Sequence, residues 1–330
     1  MPFSFSRFAP ARRAVLTLGG IFALVASASC QSGGASAAPA PGGDGPSAPP
    51  PPTTTAPAFN ATRAFADLEK QVAFGPRVPN TDGHHATRDF LLAELKKTCD
   101  RAFSQDFSRT LSGKTLKMSN LVGVFNEGAP KQVMLCAHWD TRPTADQEIE
   151  AAKKRQPIPG ANDGASGVAV LLEVARMLHA KRPDVGVQIV LFDGEDYGPN
   201  LERMFLGARY YAKKPAVPKP AYAILIDMIG DKDLQVYRER NSENTAAEIN
   251  DKVWKAADEL KLTAAFSYGV RFTIEDDHIP LQQAGFKAID LIDFDYAAWH
   301  TLDDTPDKCA PASLKAVGDV LARVVYNETK

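Results

Sequence analysis

The sequence predicts one α/β domain with a twisted, mostly parallel central β-sheet covered by helices on both faces. Two observations predict it: short apolar, β-branched runs recur, and amphipathic helical patterns separate them from about Asn60 to Lys330 with no second linker. The 330 residues, 44% of them hydrophobic, suffice for a large core of this kind. A formal net charge of -2 gives no general attraction to nucleic acid or an acidic membrane face, so partners have to be read from the site.

Two segments precede the domain. Residues 1–30 carry Arg7, Arg12 and Arg13 ahead of an apolar run, 14–28, that is short for a bilayer span, the pattern of an export signal. Ala26-Ser27-Ala28 suits signal cleavage, whereas Ser27-Ala28-Ser29-Cys30 resembles an imperfect lipoprotein box and Arg12-Arg13 a twin-arginine signal. The expected product is periplasmic, secreted or a lipoprotein anchored at Cys30. Residues 31–58 are rich in Gly, Ala, Ser, Thr and Pro, a composition that cannot bury enough apolar surface to order itself, and are expected to be a linker. The catalytic domain is expected to occupy 59–330. Within it, Cys99, Cys136 and Cys309 show no paired CxxC spacing, which argues against a cysteine metal site and allows one disulfide at most.

Strands are predicted at 121–125, 133–136, 187–192, 223–226, 234–237 and 288–292, and helices at 84–97, 166–180, 205–213, 245–260 and 312–326. In such sheets ligands gather at the carboxyl ends of the strands. The first such end is His138-Trp139-Asp140, which alone fits a hydrogen-bonded turn as well as a ligand. Asn162-Asp163-Gly164 opens a helix, where an Asp either caps the backbone or meets a cation. Adjacent Glu195 and Asp196 follow the 187–192 run; one could bind a metal while its neighbour moves protons. Asp227 ends the 223–226 run, and His300, a residue type suited to zinc, follows the last predicted strand. Their joint occurrence beyond predicted strands favours one metal-dependent site over separate structural roles.

Order and spacing resemble the zinc aminopeptidase family, with its His-x-Asp, Asp-x-x-Ser-Gly, paired acids, strand-end Asp and late His. A narrower resemblance is to glutaminyl-peptide cyclotransferases, carried by Phe74-Gly75-Pro76-Arg77-Val78-Pro79, Asp276-Asp277-His278-Ile279-Pro280 and Trp299-His300-Thr301. It implies one zinc on Asp163, Asp196 and His300, Glu195 as proton shuttle, Asp227 and Asp276 as further catalytic acids, and Trp299 as a pocket wall. The chain departs from the animal cyclases in having Asp196 where they carry Glu, and in giving Cys136 no partner near Val168. The implied reaction converts the N-terminal glutamine of a peptide or protein to pyroglutamate with loss of ammonia. The alternative is an aminopeptidase with two zinc ions, His138 and Asp227 completing the second site with Asp163; a third reading is a tethered binding module that has lost activity.

Overall fold

The computed structural model describes residues 55–329; the export segment, Cys30 and residues 31–54 of the linker lie outside the described residues. In chain order the elements are α1 (Ala61–Ala73), α2 (Asp82–Thr98), β1 (Arg101–Leu111), β2 (Lys114–Phe125), β3 (Gln132–His138), α3 (Ala151–Lys154), α4 (Ala165–Ala180), β4 (Gly186–Phe192), α5 (Leu206–Lys213), β5 (Tyr222–Asp227), β6 (Val236–Arg238), α6 (Arg240–Glu259), β7 (Phe266–Val270), α7 (His278–Gln283), β8 (Ala288–Ile292) and α8 (Pro311–Asn327).

Six strands form one sheet in the order β1-β2-β4-β3-β5-β8. The β4, β3, β5 and β8 ladders are parallel, while β1 pairs antiparallel with β2 and β2 antiparallel with β4. The parallel strands are buried along their whole length, which explains why they read as continuous apolar runs rather than alternating ones. Alternate side chains of β3 nonetheless separate into two cores: Val133, Leu135 and Ala137 pack with α1, α4, α6 and α8, and Met134 and Cys136 pack with α5 and α7 on the other face.

The structure differs from the sequence expectation at several places, among them β7 and the short helices α3 and α7, which were not predicted. The run predicted at 234–237 is β6, which pairs with β7 in a separate two-stranded sheet and does not join the main one. The strand predicted at 121–125 begins at Lys114 as β2 and runs antiparallel. β1 was not predicted because its residues are exposed or half-buried throughout and show no apolar period. α1 was not predicted either; its first turn is capped by Asn60, whose side chain accepts the Arg63 N–H at 3.0 Å. All three cysteines of the described residues are free.

The parallel strands bring four carboxyl ends to one edge. β3 ends on His138, β4 on Phe192 just before Asp193, β5 on Asp227, and β8 on Ile292 ahead of the segment that carries His300. No helix of the described residues is long and apolar enough to cross a membrane.

Candidate active site

Asp163 reaches the site because α4 starts abruptly. The N-cap position is Gly164, in the left-handed region at φ 97°, and neither Asn162 nor Asp163 caps the helix. A Cβ at Gly164 would lie 2.5 Å from the Asp140 carbonyl and 3.2 Å from the His138 ring, so the helix can approach β3 this closely only with glycine there. The Asp163 carboxylate is thus left free of capping work, while its backbone N–H and that of Asn162 are held by the Asp304 carboxylate at 3.2 and 2.8 Å. Asp304 is in turn bonded by the Tyr296 hydroxyl at 2.8 Å.

Glu195 and Asp196 are positioned by Asp140, whose two oxygens accept their backbone N–H groups at 3.0 and 3.2 Å. The Asp of His138-Trp139-Asp140 therefore fixes the turn that carries the paired acids. His300 adopts φ 54° and Met228, beside Asp227, φ 48°, left-handed conformations that cost a non-glycine residue on the order of 1–3 kcal/mol and gather at functional sites.

Two buried triads result. In the first, Asp163, Asp196 and His300 bring one potential ligand atom each to within 4.8 Å of one another. The His300 Nε2 lies 3.6 Å from Asp163 and 3.5 Å from Asp196, too far for hydrogen bonds and right for donors converging on a common centre. The Asp196 Oδ2 is buried without a hydrogen-bond partner, whereas its Oδ1 accepts from Arg142. An orphaned carboxylate oxygen, an imidazole nitrogen and a second carboxylate make a donor set that fits zinc. His300 Nδ1 hydrogen-bonds Asp146 at 3.0 Å, and Asp146 accepts from Arg142 at 2.8 Å, so both outer partners of the triad meet in one ion pair.

In the second triad the groups close on one another. The His138 Nε2 is 3.1 Å from Asp227 and 3.2 Å from Asp163, both within hydrogen-bond range. Its Nδ1 lies 3.7 Å from Asp140 and 3.8 Å from the Glu195 carboxylate. Burial opposes a charge on this imidazole, but Asp227, Asp140 and Asp163 overcome it and push His138 well above its usual range.

The acids are held apart electrostatically. Burial, reinforced by Asp196, drives the Glu195 carboxyl well above the ordinary carboxylate range. Burial raises Asp196 to about 7 against the lowering effect of His300, and burial together with Asp227 raises Asp276 to about 8. Asp163 moves the other way: burial is outweighed by the hydrogen bond and charge of His138 and by His300. Behind Asp276, Asp277 and Asp290 are fully buried with no hydrogen-bond partner for either carboxylate oxygen among the described residues, and burial, reinforced by Asp276, holds both well above the usual range. His278 lies between Asp290 at 3.8 Å and Glu239 at 3.4 Å.

These groups open on a narrow cavity of about 60 Å³ lined by Asp163, Glu195, Asp196, Asp227, Asp276, Ile274, Phe294, Trp299 and His300. Trp299 stacks on the His300 ring at 4.0 Å between centroids and packs with Phe294 at 5.1 Å, so it both walls the cavity and belongs to the small core around Met228 and Ile292. Every residue singled out in the sequence for this site thus lies at one sheet edge. The sequence reading missed Arg142 and Asp146, which sit four apart in a loop where no helical period marks them, and Asp304, three residues beyond Trp299-His300-Thr301. It quoted Arg77 only as part of a motif; buried, its guanidinium donates to the carbonyls of Trp139 at 3.3 Å and Gly160 at 2.5 Å and so ties β3 to the Asp163 loop.

Fold and site together define an α/β enzyme with a carboxylate and histidine metal centre at the carboxyl edge of its sheet. The chain belongs to peptidase family M28, whose profile matches residues 120–325. It is similar to the solved Tannerella forsythia glutaminyl cyclase, at 41% identity and TM-score 0.80, covering 83% of this chain and 100% of that one. A Zn-dependent exopeptidase from Parabacteroides distasonis ATCC 8503 is similar at 38% identity and TM-score 0.81, with the same coverage. Aminopeptidase YwaD of Bacillus subtilis (strain 168) is 25% identical over 282 residues; the match covers 77% of this chain and spans 54%, about half, of that protein.

Proposed function

We propose that the protein is an exported glutaminyl-peptide cyclotransferase that holds one zinc ion on Asp163, Asp196 and His300. The observation that carries this reading is the donor set of the first triad, where the buried Asp196 Oδ2 has no hydrogen-bond partner and faces His300 Nε2, beside a cavity that also gathers Glu195, Asp227 and Asp276. The first triad stays at 3.5 to 3.6 Å. A zinc ion there supplies Lewis acidity toward the γ-carboxamide oxygen of an N-terminal glutamine.

The residues of the chain do the remainder. The nucleophile is the substrate's own α-amine, held by Asp227 and Asp276, which both line the narrow cavity. Glu195 accepts a proton as the amine nitrogen bonds the carbonyl carbon of the γ-carboxamide, then returns it to the departing nitrogen, which leaves as ammonia. A carboxyl raised by burial suits both directions of that transfer. Trp299 lines the cavity with its ring stacked on that of His300.

Incubation with a Gln-initiated peptide tests the reaction. Ammonia and a pyroglutamyl product without a freed amino acid are expected; release of amino acids with two metal ions per chain would establish the aminopeptidase reading, which the ligand-range spacing of His138, Asp163 and Asp227 keeps open. The signal at 1–30 and the linker behind it support a periplasmic enzyme tethered through Cys30. Cys30→Ser is expected to move activity from the membrane to the soluble fraction; unchanged partitioning would remove the lipid anchor.

A further inference from the structure

One carboxylate at the mouth of this cavity is not used by the reaction. In the segment entering α7, Ile274 and Asp276 are buried, and Glu275 between them is exposed. The backbone beneath it is fixed. The Ile274 N–H donates to Glu239 at 3.0 Å, and the Ile274 carbonyl accepts from the Asn241 side chain at 2.8 Å. Glu239 also accepts the N–H groups of Asn241 and Ser242 at 2.8 and 2.7 Å, so it anchors the start of α6 and this segment together. Glu275 is therefore carried on a braced strip of chain rather than a loose loop. Its carboxylate has no ion-pair or hydrogen-bond partner among the described residues, and Glu275, exposed, is one of the residues lining the cavity with Met204, Phe294 and Trp299.

We propose that Glu275 selects substrates with a lysine or arginine directly after the N-terminal glutamine; this rests on the cyclase reading. When the glutamine side chain fills the cavity, the next residue has to leave past the mouth. There the aromatic faces of Phe294 and Trp299 cover an aliphatic stem, and the unpaired Glu275 carboxylate takes the cationic head. Arg271, on the same segment, does not compete, because Asp295 neutralises it at 2.5 Å.

The test uses the purified full chain and three peptides identical except for Lys, Ala or Glu after the N-terminal Gln, with ammonia release followed at low ionic strength. Attraction for one charged peptide and repulsion for the other, each worth about threefold at an exposed carboxylate, multiply to roughly tenfold in kcat/KM in favour of lysine. Salt at about 0.5 M is expected to shrink that ratio. Glu275→Gln brings it below about twofold, and Glu275→Lys inverts the order. Equal kcat/KM for the lysine and glutamate peptides in the unaltered protein, or a ratio that survives Glu275→Gln, overturns the inference while leaving cyclisation standing. Ammonia from none of the three peptides overturns the cyclase reading, and the inference with it.

Discussion

Glu195→Gln is expected to slow turnover of a Gln-initiated peptide by roughly 10²–10⁴-fold with metal content unchanged. The substitution keeps shape and hydrogen-bonding length but removes the atom that can take a proton. Its surroundings make the loss hard to bypass. The Glu195 backbone is pinned by Asp140 at 3.0 Å and by the Phe205 N–H at 2.8 Å, so the side chain projects from a fixed point. His138, whose Nδ1 lies 3.8 Å from the Glu195 carboxylate, is committed to Asp227 and Asp163. Asp227 and Asp276 also line the cavity, but both hold the α-amine, and Asp227 also accepts from His138. Neither is free to accept the amine proton and carry it to the leaving nitrogen. Ammonia release at saturating substrate, with metal analysis of the same sample, checks this; a Gln variant retaining more than about a tenth of the rate would end the shuttle role assigned here.

How far the sequence reached differs between sheet and site. Strands buried on both faces, such as β3 and β4, announce themselves as unbroken apolar runs, and the chemistry-bearing residues follow them directly, so the edge where they meet was legible. β1 was not, because an edge strand with exposed residues on both faces carries no period, and β6 was misplaced because an apolar run does not say which sheet it joins. Within the site, residue types told which side chains could bind or move protons. They could not tell which carboxylates brace others. Asp140, Asp304 and Asp146 resemble Asp163 and Asp196 in sequence, and only distances show that the first two bind backbone N–H groups while the third backs an imidazole. The capping alternative at Asp163 was likewise undecidable until Gly164 was found at the cap.

His300→Ala is expected to abolish both zinc binding and turnover, and it separates the two triads. His300 brings the only imidazole of the first triad; without it Asp163 and Asp196 face each other with Asp196 already bonded through one oxygen to Arg142. Two carboxylates offer fewer donors than a zinc site requires, and their repulsion, no longer offset by the imidazole, favours protonating one of them. Asp146→Asn probes the same site more gently: it removes the charge behind Nδ1, a hydrogen bond of 3.0 Å, and should weaken zinc binding by roughly 10–100-fold without emptying the site at high zinc. His138→Ala is the decisive comparison, because it removes no donor of the first triad and takes away only the imidazole beside the shared Asp163. Metal retained by His138→Ala and lost by His300→Ala, measured after dialysis against a chelator, assigns the ion to Asp163, Asp196 and His300. If His138→Ala instead drops the content from two ions to one, the contacts of 3.1 and 3.2 Å around His138 have opened to admit a second ion, and the water-activating chemistry of a peptidase replaces intramolecular attack.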